Sequence, residues 1–93
     1  MGGRHYIAEI RISPSVEVKI RTKHFITGER VRQALILRSE ADTRWEHHPD
    51  HGRRLLCINP GADGRVVFAV LIPLDTPDGV WTLKTARFAT NQG

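Results

Sequence analysis

The feature that most constrains this chain is the run from residue 65 to residue 74, in which Val66 to Ile72 is apolar at every position. A strand with no polar side belongs inside a sheet, covered on both faces. Turn-forming residues bound it on either side: Asn59-Pro60-Gly61-Ala62-Asp63-Gly64 before, and Asp75-Thr76-Pro77-Asp78-Gly79 after. Loops of this length between β-rich runs are hairpin connections. The central strand is therefore expected to pair with residues 53–59 on one side and 80–88 on the other. A third turn, His48-Pro49-Asp50-His51-Gly52, adds a short strand over residues 44–47. Residues 44–89 thus read as an antiparallel meander.

The first half of the chain has a different pattern. Tyr6 to Ile12 alternates apolar and polar residues from Ile10 onward and reads as a first strand. Ser13-Pro14 follows, an N-cap with proline at the first helical position, where its missing N–H costs nothing. Val16, Ile20 and His24 share one face of that helix, which is rich in β-branched residues and so is expected to be short. A second helix is capped by Thr27, with Ile26 and Val31 spaced as a hydrophobic staple. Its stripe is Val31, Ala34, Leu35 and Arg38, with Arg30 and Arg32 off it. The order is β-α-α-β-β-β-β, an α+β chain with two helices packed on one face of an antiparallel sheet and the other face partly open.

Ninety-three residues make one domain. Residues 1–5 read as a leader without structure, 5–40 as the strand and two helices, and 44–89 as the meander. The lone Cys57 cannot form an internal disulfide and lies in the apolar run Leu55-Leu56-Cys57-Ile58, where it reads as a buried, inert thiol. With no signal-like apolar segment and no run near the ~18 residues a membrane span needs, the chain is expected in the cytoplasm, away from membranes. Its net charge is +4, and residues 1–40 hold eight of the fourteen Lys/Arg against four acids. That imbalance suits a polyanionic partner such as nucleic acid, although solvated cations on helix faces would give the same count.

Several chemistries are absent from the pattern. Gly61-Ala62-Asp63-Gly64 lacks phosphate-loop spacing, Ser13, Ser15 and Ser39 stand in no nucleophile-elbow context, and neither CxxC nor HExxH occurs. No metal or cofactor is implied. Glu46-His47-His48-Pro49-Asp50-His51 gathers three histidines and two carboxylates. Adjacent strand residues point to opposite faces, however, so the cluster reads as a polar hairpin tip with acid/base potential rather than as a metal site. On simple alternation Trp81, Leu83, Thr85 and Arg87 share one face of the last strand and Thr82, Lys84, Ala86 and Phe88 the other.

Five short motifs occur in a suggestive order: Lys23-His24-x-Ile26-Thr27, Ala34-Leu35, His51-Gly52-Arg53-Arg54-Leu55, Gly64-Arg65 opening an apolar strand, and Thr85-Ala86-Arg87-x-Ala89. Over residues 14–89 this order resembles the BrnT-like toxins, small members of the RelE/ParE-like group. Phe25 stands where that family usually has glycine, and the family's final helix has no counterpart here. The resemblance implies a RelE-like fold and a metal-independent ribonuclease that blocks translation, with RNA and a cognate ribbon-helix-helix antitoxin as partners. Cleavage through the RNA's own 2′-OH needs a base, an acid and cations around the phosphorane. Arg87, Arg65, His24 and His47 are the catalytic candidates; Arg54, Lys84, Lys23 and Arg44 are candidates for phosphate binding. Arg65 and Arg87 are expected to approach one another across the last hairpin, with Arg65 near Arg87 or its neighbour. A non-catalytic RelE-like module that binds a protein or RNA is the alternative, and a homodimer is left open.

Overall fold

The structure, a computed structural model, describes residues 6–50, 52–61 and 63–89. The expected leader and His51 of the hairpin cluster lie outside them. The chain runs β1 (Glu9–Arg11), α1 (Pro14–His24), α2 (Gly28–Leu35), β2 (Asp42–His48), β3 (Gly52–Pro60), β4 (Val66–Asp75) and β5 (Val80–Phe88). The strands form one sheet in the order β1-β5-β4-β3-β2. The apolar run is the middle strand, with β3 and β5 antiparallel on its two sides, as expected. The all-antiparallel expectation changes. The sheet is mixed, because β1 lies parallel to β5, with Ile10 beside Trp81. The two helices between β1 and β2 carry the chain across the sheet, a crossover that a hairpin-only reading does not contain.

Local chemistry explains both helices. Ser13 Oγ accepts from the Val16 N–H at 3.3 Å, and Thr27 Oγ1 from the Arg30 N–H at 3.2 Å. The carboxylate of Glu17 on α1 accepts from the Gly28 N–H at 3.1 and 3.2 Å, placing negative charge at the start of α2. A Cβ on Gly28 would overlap that carboxylate and stand 2.7 Å from Ile12 Cδ1, so the close approach needs glycine here. α1 ends at Phe25, whose φ of 56° lies in the left-handed region. Its N–H bonds to Arg21 O at 3.2 Å, and the Ile26 N–H reaches Ile20 O at 3.3 Å. At the end of α2, buried Asn59 donates to the carbonyl of Ala34 at 2.8 Å, satisfying one of the helix's last carbonyls and tying α2 to β3.

Both helices cover the same face. Ile20 from α1 and Val31, Ala34 and Leu35 from α2 are fully or almost fully buried against Leu55, Cys57, Val67, Ala69, Leu71, Trp81, Leu83 and Ala86. Trp81 donates Nε1–H to Tyr6 O at 3.0 Å and sits 5.8 Å from the ring of Trp45, so two indoles extend this layer toward β2. Among the described residues no helix is long and apolar enough to cross a membrane.

β5 departs from simple alternation. Val70 pairs with Thr85 but Leu71 pairs with Leu83, so Lys84 is an extra residue in a β-bulge. The inward set is Trp81, Leu83, Ala86 and Phe88, while Thr85 and Arg87 turn to the other face. The grouping of Trp81 and Leu83 with Arg87 is thereby corrected. The expected cover on both faces of β4 is corrected too: among the described residues no helix lies over Phe68, Val70 and Ile72, although Val70 is still only 5% exposed between its neighbours.

Candidate functional site

Strand register decides which side chains share the uncovered face. Arg44 pairs with Leu56 and Glu46 with Arg54; Leu56 pairs with Val70 and Ile58 with Phe68; Phe68 pairs with Arg87 and Val70 with Thr85. Paired residues point the same way. The face therefore has an apolar centre of Leu56, Ile58, Phe68, Val70 and Ile72, rimmed by Asp42, Arg44, Glu46, Arg54 and Arg87.

Each rim cation is held differently. The Arg87 guanidinium lies 4.9 Å from the centroid of the Phe68 ring, in cation–π range, while its chain stays exposed. Arg54 is mostly buried and donates Nε–H to Glu46 at 3.1 Å, with a second bond from Nη2 to the same oxygen. Arg44 is exposed on β2. Beside Arg44 lies a shallow depression of about 400 Å³, lined by Asp42, Thr43, Arg44, Leu56, Cys57, Ile58 and Phe68. Ile58 is 37% exposed at its edge. Cys57 contributes to the floor from the helix side; it is 1% exposed, and burial pushes its thiol up to about 12. That thiol stays protonated and is no nucleophile at neutral pH.

The sheet brings together Arg87, Arg54 and Arg44 of the eight expected site residues. Arg65 is not on that face: it meets Arg87's neighbour, Phe88, and not Arg87 itself. The register sets Arg87 opposite Phe68, three residues beyond Arg65 along β4, which is about 10 Å of strand and an odd number of side-chain alternations. Arg65 instead stacks 3.6 Å from the centroid of Phe88, on the helix side. Its N–H also caps Asp63, and Arg30 closes that group with an ion pair to Asp63. The Arg30 hydrogen bond first, and the Arg65 N–H second, hold the Asp63 carboxyl below its ordinary value.

The two histidines are separated as well. His24 ends α1, which packs over β5, and is half-buried; His47 is exposed on β2, three strands away. His47 pairs with Arg53, on the helix side rather than the uncovered one. Lys23 is exposed on α1 and Lys84 on the bulge. His48 accepts from the Asp50 N–H on Nδ1 at 3.1 Å, an internal bond of the hairpin turn. Among the described residues no three His, Cys, Asp or Glu are grouped as metal ligands.

Glu46 and Phe68 belong to the face and were not among the expected site residues. The Glu46 signal was readable: a turn centred on Asp50 places residues 46 and 54 opposite one another, an acid facing an arginine. Phe68 was hidden because nothing in a uniformly apolar run marks which members lie under helices. No family model, curated protein or solved structure matches the chain.

Proposed function

We propose that this protein is a RelE-like module that binds single-stranded RNA through the uncovered face of its sheet. The observation that carries the proposal is that Arg44, Arg54 and Arg87 share with Phe68 the sheet face over which, among the described residues, no helix lies, with Arg87 stacked on the Phe68 ring. Guanidinium groups grip phosphate oxygens in bidentate fashion, and an aromatic ring on the same surface gives a base a partner to stack on. The net charge of +4 favours the same partner. The element order and the two helices on one side fit the RelE-like fold that the BrnT-like motifs imply, and a reduced thiol at Cys57 fits a cytoplasmic role.

A second reading, the toxin-type ribonuclease, is favoured by Glu46. Its carboxylate lies on this face against Arg54, so a displaced Glu46 would take the 2′-OH proton, the 2′-oxygen would bond to phosphorus as the 5′-oxygen leaves with a proton from water, and Arg54 would balance the phosphorane charge. His24 and His47 have no part in that arrangement. A cognate antitoxin would then act by covering the same face.

The test is fluorescence anisotropy of a labelled single-stranded RNA across a salt series. Three phosphate contacts predict a slope of log K against log salt of about −2, and Arg87→Ala should lower its magnitude by about 0.7. Incubation of wild type with RNA in EDTA tests cleavage: fragments that disappear with Glu46→Gln support the ribonuclease, and intact RNA leaves the binding module. Absence of binding at low salt overturns both.

A further inference from the structure

Among the described residues β2 is the longer edge strand of the sheet, seven residues without proline, against three in β1 at the other edge. Edge strands invite pairing with another chain, and charges placed along them usually discourage it. The charges on β2 have a different property. Antiparallel pairing of β2 with the same strand of a second copy places a two-fold axis perpendicular to the sheet, which keeps each side chain on its own face. Since alternate residues face opposite ways, the axis must then pass through a residue rather than between two residues. Three registers near the strand's middle satisfy this, centred on Arg44, Trp45 or Glu46.

Only one of them is electrostatically favourable. Centring on Arg44 sets Arg44 against itself and Asp42 against Glu46. Centring on Glu46 sets Glu46 against itself and Arg44 against His48. Centring on Trp45 sets Arg44 against Glu46 and Asp42 against His48, twice each by symmetry, with Thr43 opposite His47. It is also the register that pairs all seven residues, because Trp45 is the midpoint of Asp42–His48. Like charges directly opposite one another are destabilising and unlike charges stabilising, so the strand selects itself in one register and rejects the neighbouring two.

We infer that the protein forms a homodimer in which the two β2 strands pair antiparallel about Trp45 to make one continuous ten-stranded sheet. In this dimer Glu46 lies between its own Arg54 and Arg44 of the second copy. The helices of both copies stay on one side, and the two arginine-rimmed faces join into a single surface on the other. The inference stands without the RNA reading, because assembly is measured with no RNA present.

The experiment is sedimentation velocity over a concentration series with charge-reversed chains. Arg44→Glu makes every central pair acidic and Glu46→Arg makes every one basic. Each should raise the dissociation constant about tenfold or more, from two attractive pairs turned repulsive. An equimolar mixture of the two variants restores Glu opposite Arg at all four positions and should sediment as a dimer. Thermal melts show that each variant is folded. A wild type that is monomeric at every concentration, or a mixture no more associated than its components, overturns the inference.

Discussion

Phe25 holds a conformation that its side chain disfavours. At φ 56° and ψ 35° it is the left-handed residue that stops α1, and the cap bonds to Arg21 O and Ile20 O depend on that geometry. An L-residue in this region costs about 1–2 kcal/mol relative to glycine. The ring offers little in return, since Phe25 is 81% exposed. Against the relief stands the larger entropy that glycine loses on folding, about 0.5–1 kcal/mol. Phe25→Gly should therefore stabilise the fold by about 0.5–1 kcal/mol, which for a domain of this size raises Tm by roughly 2–8 °C. Phe25→Ala is the control, because alanine suffers the same backbone cost and should leave Tm almost unchanged. Thermal melts followed by circular dichroism, repeated in urea to obtain the free energy, give both values. A glycine variant no more stable than the alanine variant would refute the reasoning and mean that the cap is not strained.

Gly79 has φ 70°, and a Cβ there would stand 2.6 Å from the ring of Tyr6, so Gly79→Ala should cost about 1–3 kcal/mol in urea unfolding. Burial holds the Cys57 thiol at about 12, against about 8.5 in the unfolded chain. The folded state then keeps a proton that the unfolded state gives up, so stability is complete below pH 8.5 and falls above it. Between pH 8.5 and 10 wild type should lose about 2 kcal/mol more than Cys57→Ala. Asp63 has the opposite sign: Arg30 and the Arg65 N–H lower its folded value, so its contribution is present above about pH 4 and is lost as pH falls through the folded value. Asp63→Asn should show a smaller acid-induced drop in Tm than wild type.

The parts of the fold that were legible in the sequence are those set by short-range chemistry. Ser13-Pro14 and Thr27 mark both helix starts because capping needs only a hydroxyl and three residues of chain. The meander follows from turn residues between apolar runs, and the doubly apolar run had one sensible place, between β3 and β5. The partner of β1 could not be read the same way. Its register with β5 joins Ile10 to Trp81 across most of the chain, and three short residues carry no pattern that distinguishes a parallel neighbour from an antiparallel one. In the site, the cross-strand pair of Glu46 and Arg54 was legible because hairpin symmetry fixes it.

The bulge at Lys84 shows how a local irregularity governs the candidate site. Strict alternation from Trp81 would send Arg87 toward the helices, where its charge would lie against the core, and Ala86 and Phe88 outward. The sequence does contain the sign of a break: the apolar positions are 81 and 83, then 86 and 88, with two polar residues, Lys84 and Thr85, between them. A strand whose apolar phase shifts by one residue must either expose half its apolar side chains or insert a bulge. Here the bulge wins, because it lets Leu83, Ala86 and Phe88 all pack inward. The same extra residue turns Arg87 onto Phe68 and so completes the arginine rim. The position of the most important cation in the proposed RNA surface is thus a consequence of core packing on the opposite side of the sheet.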